Sequence, residues 1–166
     1  KIGEYPGCFT ACEFDVTDSV DWQADNTLII RIGAHPGVLP DTYPTGTDFE
    51  KLRWTPGIYD RVSLRLCDNP VIEHIQVAPK IDRSEILVQT QIKNAGPAAS
   101  FLLKHRVTTW KDGKPAAESE PRSVRLDAQA TTTVTERIPI PDATLWSPDA
   151  PFLYVLETTS GGDSTC

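Results

Sequence analysis

Glu85-Ile86-Leu87-Val88-Gln89-Thr90-Gln91-Ile92-Lys93 decides the fold class. Ile86, Val88, Thr90 and Ile92 share one side of this run, opposite Gln89, Gln91 and Lys93. Successive side chains of an extended strand point to opposite faces, so the run offers one face to a core and the other to water. The same period recurs downstream. Phe101, Leu103 and Val107 align within Phe101–Trp110, followed by the turn signal Lys111-Asp112-Gly113-Lys114. Val134, Ile138 and Ile140 make another face, and Phe152, Tyr154 and Leu156 the next. Gly161-Gly162-Asp163 then reads as a hairpin turn into a further strand. The predicted core is Ile86, Val88, Ile92, Leu103, Val107, Val134, Ile138 and Leu156.

Upstream, Leu28, Ile30 and Ile32 share a face of Thr27–Ile32, and Val62, Leu64 and Leu66 a face of Arg61–Leu66. Between Gly33 and Gly57 the alternation stops, and Pro36, Pro40, Pro44 and Pro56 break any ladder. A loop of this length is uncommon without a function. A second break at Asp68-Asn69-Pro70 is taken as the domain boundary. Residues 70–166 then carry about six strands at roughly 10-residue spacing, close to an immunoglobulin-like count. Residues 1–69 carry three or so, around Phe14–Val16, Thr27–Ile32 and Arg61–Leu66, too few to close a sandwich. They read as half a domain whose strand edges invite self-association.

Composition narrows the function classes. The 166 residues are 39% hydrophobic and 23% charged, as in an ordinary globular protein, and the 14 prolines and 10 glycines are scattered as in an all-β chain. A net charge of −7 with no Lys/Arg stripe argues against nucleic-acid binding. No apolar stretch of about 18 residues exists to span a bilayer as a helix. The chain has no Met and no leader-like start, so it reads as a piece of a longer product, with any export signal upstream. A periplasmic or secreted location is expected ahead of a cytoplasmic one.

Catalytic and metal constellations are not evident. Cys8 and Cys12 have a C-x3-C spacing but no second close pair, so no metal site is expected. Cys8, Cys12, Cys67 and Cys166 are read as small half-buried thiols, with a Cys8–Cys12 disulfide left open. His35, His74 and His105 lie far apart, and Ser84, Ser100 and Ser147 lack a nucleophile-elbow context. Glu118 with Glu120, and Glu13 with Asp15, stand at i, i+2 on strands and read as solvated faces. No catalytic residue and no cofactor are expected.

Several motifs carry a resemblance. Glu13-Phe14-Asp15-Val16-Thr17-Asp18 followed by Asp25-Asn26-Thr27-Leu28-Ile29-Ile30-Arg31-Ile32 resembles the late strands of the sugar-binding jelly roll in glycoside hydrolase family 2. Gly57-Ile58-Tyr59-Asp60-Arg61-Val62 looks like the Gly-Ile-Tyr-Arg-x-Val strand that closes that domain, with Tyr-Asp-Arg in place of Tyr-Arg-x. Ile72-Glu73-His74-Ile75-Gln76-Val77 is similar to the first strand of the family's immunoglobulin-like domain. Leu145-Trp146-Ser147-Pro148-Asp149-Ala150-Pro151-Phe152-Leu153-Tyr154 is like its Leu-Trp-Ser-Pro-x-x-Pro-x-Leu-Tyr motif, the most specific match. Physically, Trp146 is expected to cover one end of the sandwich, Pro148 and Pro151 to set an extended lead into the last strands, and Tyr154 to send its hydroxyl to a backbone group.

The resemblance implies an all-β chain with the C-terminal part of a sugar-binding jelly roll at 1–69 and an immunoglobulin-like β-sandwich at 70–166. The β-galactosidase branch is favoured, with the β-glucuronidase and β-mannosidase branches open. Retaining glycosidases need two carboxylates about 5–5.5 Å apart. In this family both stand on a barrel domain, which the chain lacks and which is the implied partner, with carbohydrate bound through the parent enzyme. The resemblance also implies that the long loop reaches the substrate pocket through Asp48, Glu50, Lys51, Arg53 and Trp54. Carboxylates and Arg fork hydrogen bonds to sugar hydroxyls, and a Trp face stacks on a pyranose. A free-standing carbohydrate-binding module and a structural spacer are the rival readings.

Overall fold

The structure, a computed structural model, describes residues 1–7, 10–33, 40, 42 and 57–165. The chain forms two compact units, Lys1–Leu64 and Arg65–Cys166.

In the first unit, the one regular element among the described residues is a 3-10 turn at Thr17–Ser19. Side chains of the Asp-Val-Thr-Asp and Asn-Thr motifs hold its loops. The Asp15 carboxylate accepts from the Thr17 backbone at 3.0 Å and the Thr17 hydroxyl at 2.6 Å. Asn26 accepts from the Asp21 N–H at 2.9 Å and donates to the carbonyls of Asp21 and Ala24 at 2.8 and 3.1 Å. Such Asx contacts mimic backbone turns. The strands expected around Phe14–Val16, at Thr27–Ile32 and at Arg61–Leu66 are not formed: these segments are in no ladder. Ile29 is 86% and Leu64 72% exposed. Alternation specifies which side chains share a face, but a strand exists only where a neighbour completes its hydrogen bonds.

The second unit is a β-sandwich. Its eight strands are β1 (Val71–Lys80), β2 (Glu85–Lys93), β3 (Ala99–Thr109), β4 (Pro115–Glu118), β5 (Arg122–Leu126), β6 (Thr131–Pro139), β7 (Tyr154–Ser160) and β8 (Asp163–Thr165). One sheet has the order β1-β2-β6, the other β4-β3-β7-β8, with β5 sharing the β3 edge with β4. Every pairing is antiparallel. The chain changes sheet between β2 and β3, β5 and β6, and β6 and β7, the crossings of an immunoglobulin-like sandwich. The strands beyond the expected six are β4 and β5, each too short to display a long alternation.

The core is apolar at both ends of the sandwich. Ile92 and Val134 from the first sheet meet Leu103, Val124 and Leu126 from the second, with Phe101 beside them. Val88, Ile138 and Ile140 meet Val107, with Ile86 and Leu156 packed against them. Six of the eight predicted core residues are buried, and Ile86 and Leu156 are half-buried. Gln89 lies in water and Thr90 inside, so the β2 register is the one the alternation requires.

Two details refine the motif readings. In β1 the ladder runs Ile72↔Ile92 and then His74↔Gln91, leaving Glu73 as a bulge. The extra residue brings Ile75, opposite Thr90, onto the same face as Ile72 despite their odd spacing. In the Trp-Ser-Pro motif, Trp146 is 58% exposed and does not cover the end of the sandwich. Tyr154 does the packing: its ring lies against the core and its hydroxyl accepts from the Thr144 N–H at 2.8 Å. Pro148 stands inside a turn closed by reciprocal Ser147 and Ala150 backbone bonds of 3.2 Å, where its fixed φ is at home, and not in an extended lead.

Candidate functional site

Asp48, Glu50, Lys51, Arg53 and Trp54, the predicted substrate-loop residues, all lie outside the described residues. So does Cys8 of the Cys8–Cys12 pair, while Cys12 and Cys67 are exposed, not half-buried as their type suggests. Among the described residues no three His, Cys, Asp or Glu side chains gather to hold a metal.

Glu13, Asp15, Glu118 and Glu120 are exposed as expected, but only Glu118 stands on a strand, so neither pair forms a strand face. Glu118 pairs with Lys104 across β4 and β3, and the ammonium holds its carboxyl below the usual range. Lys104, Arg106, Glu118, Glu157 and Thr159 line a shallow depression on the outer face of the larger sheet. At the β3–β4 turn Asp112 is lowered to about 2 by hydrogen bonds from Lys114 and from the Thr109 hydroxyl. Gly113 supplies the left-handed residue of that turn, with φ of +66°. Exposed pairs of this kind contribute little.

Two buried polar constellations escaped the sequence reading. The first joins the loops at one end of the sandwich. Asn94, fully buried, donates to the carbonyls of Pro97 and Asp127 at 2.8 and 2.9 Å and accepts from Asn69 and the Gly96 N–H at 3.0 Å each. Asn69 in turn accepts from the Ala95 N–H at 2.8 Å. Gly161 closes over this end with φ of +59°, and a Cβ there would sit 2.8 Å from Pro70 Cδ.

The second lies in the core. His105 on β3, fully buried, places Nδ1 2.9 Å from the Thr158 hydroxyl on β7 and Nε2 3.0 Å from a Glu136 carboxylate oxygen on β6. The Nε2 approach is close but poorly aligned, so neither atom has a well-directed hydrogen-bond partner among the described residues. Burial pushes the imidazole below its ordinary value, and the charge of Glu136 works against that shift. The signal in the sequence was polar residues at inward positions, Leu103-x-His105-x-Val107 and Val134-x-Glu136-x-Ile138.

Comparison with known proteins follows the sandwich. The sequence profile described as "Glycosyl hydrolases family 2" matches residues 71–165. A search of curated proteins finds no relative. Solved structures that resemble the chain include a glycosyl hydrolase family 2 member from Bacteroides cellulosilyticus DSM 14838, at 24% identity and TM-score 0.48 over 54% of this chain. Others are Bacteroides uniformis β-glucuronidase, at 25% and 0.45 over 53%, and β-glucuronidase 2 of that organism covalently bound to cyclophellitol-6-carboxylate aziridine, at 24% and 0.44 over 53%. The chain spans 12%, 11% and 11% of those three chains.

Proposed function

The chain belongs to the glycosyl hydrolases family 2, whose profile covers residues 71–165 of its 166, and from this we propose that it is a non-catalytic β-sandwich region of such an enzyme. Its role is to position a sugar-binding domain, of which residues 1–69 are the end, against a catalytic barrel carried elsewhere in the parent. The match over the sandwich is the observation that carries the reading. The internal chemistry supports it: the carboxylate of Glu136 is spent inside the core and that of Glu118 on a surface ion pair. Within the family the β-galactosidase branch is the first choice, with the β-glucuronidase and β-mannosidase branches open. The loop residues Asp48, Glu50, Lys51, Arg53 and Trp54 are the proposed contribution to the sugar site.

Hydrolysis of nitrophenyl β-galactoside, β-glucuronide and β-mannoside by the purified chain tests this. The expected result is no turnover above the buffer rate, because retaining chemistry needs a positioned carboxylate pair. Turnover abolished by changing one acidic residue of this chain would overturn it.

A further inference from the structure

Inward positions of a sandwich ordinarily carry apolar side chains, because a polar group there gives up water and must find another partner. Three strands break this rule near the middle of the sandwich, on neighbouring inward rungs, since Thr90 pairs with Val134 and Glu136 with Val88. Thr90 stands between Val88 and Ile92 on β2, His105 between Leu103 and Val107 on β3, and Glu136 between Val134 and Ile138 on β6. In each case one flanking residue belongs to one apolar cluster and the other to the second. A polar layer therefore crosses the middle of the core. Its one close contact between the sheets is His105 to Glu136, since β3 and β6 lie in opposite sheets.

We propose that the buried His105, set against Glu136 of the opposite sheet, makes the sandwich acid-sensitive: the fold is at full strength while the imidazole is neutral and loses stability when the buried ring must take up a proton.

In the neutral arrangement Nδ1 accepts from the Thr158 hydroxyl, and Nε2–H stands 3.0 Å from the carboxylate without a well-directed bond to it. Glu136 is the one charge beside the ring among the described residues. Thr158 and Ser160 of β7 and Thr90 of β2 face the same layer and do not titrate in this range. Ser119, after β4, exchanges hydrogen bonds with the His105 backbone only. Lys104 and Arg106 flank His105 on the opposite face, with Glu118 and Glu157 around them. A second charge in the layer must thus be carried without water, and desolvation outweighs the attraction of Glu136. Protons have a route in: β6 is an edge strand, and the Glu136 side chain keeps 14% exposure.

The sign of the pH effect follows. An unfolded histidine titrates near pH 6.5, and the buried one lower, so the unfolded chain takes the proton first. Stability is full above about pH 6.5 and falls as pH drops through that value toward the lower folded one, by up to about tenfold in the folding equilibrium per pH unit.

The test is an imidazole 1H–15N titration of the folded 166-residue chain, paired with urea unfolding from about pH 8 to about pH 5. An imidazole titrating below about 6.5 that moves lower still in Glu136→Gln is expected, because the carboxylate favours the charged ring. In His105→Gln the unfolding midpoint should lose its fall across this range. A His105→Gln profile parallel to wild type would overturn the proposal, since a purely structural histidine lowers stability equally at every pH. The wild-type titration stands by itself should that variant not fold: if no imidazole titrates below about 6.5, the proposal is wrong.

Discussion

Asn94 places two amide donors and a carbonyl acceptor in a site with no exposure, and four partners within 3.0 Å occupy all of them. Those partners belong to the β2–β3 loop, the β5–β6 loop and the segment leading into β1, so one side chain fastens three turns. Removing it strands the carbonyls of Pro97 and Asp127 and the Asn69 amide, and a buried group left without its partner costs about 1–3 kcal/mol. Asn94→Ala is therefore expected to lower unfolding stability by about 3 kcal/mol, against about 1 kcal/mol for Asn69→Ala, whose side chain is more exposed. Urea denaturation of the two variants decides it. If Asn69→Ala costs the same or more, Asn94 is not the fastening residue. The sequence offers no sign of this role, because a side chain that serves carbonyls 3 and 33 residues away leaves no period to read.

Strands were legible wherever burial imposed a period. β2 falls on Glu85–Lys93 as the alternation requires, and the turn after Thr109 falls on Lys111–Lys114. What was hidden has physical causes. β5 offers only Val124 and Leu126 to the core, too few to stand out. Thr27–Ile32 has the alternation of a strand without a neighbour in the ladder, and periodicity carries no information about neighbours. The candidate loop from Asp48 to Trp54 was read from resemblance, and it lies outside the described residues. β1 is the intermediate case, since strict alternation would group Ile72 with His74 and the bulge at Glu73 groups it with Ile75. Deleting Glu73 should restore the uninterrupted ladder with Ile72 and Ile75 two positions apart, so both stay inward and stability should change by less than about 1 kcal/mol. Deleting Glu73 and His74 together makes the two isoleucines adjacent and turns one of them out, at an expected cost of about 2 kcal/mol, the transfer energy of one such side chain. Urea denaturation compares the two variants. A single deletion as costly as the double would show that alternation does not set the register of this strand.

The two units of the molecule treat their apolar side chains in opposite ways. In the sandwich, alternation ends in burial. In Lys1–Leu64 the described apolar residues Leu28, Ile29, Ile30, Ile32, Val62 and Leu64 remain exposed. Each such side chain forgoes about 1.5–3 kcal/mol by staying in water, so together they favour any surface that covers them. The opposing force is the net charge of −7, which repels like copies at long range. Physiological salt screens that repulsion beyond about 8 Å and leaves apolar contact untouched. The isolated chain is therefore expected to self-associate, and more so in salt than in dilute buffer. Static light scattering should give a mass that starts near 18.3 kDa and climbs with concentration, faster at about 0.15 M salt. Ile30→Glu and Leu64→Glu should return it toward the monomer, since each sets a charge where a partner's apolar side chain would lie. A mass fixed at 18.3 kDa under every condition would mean that these side chains are covered within the chain itself.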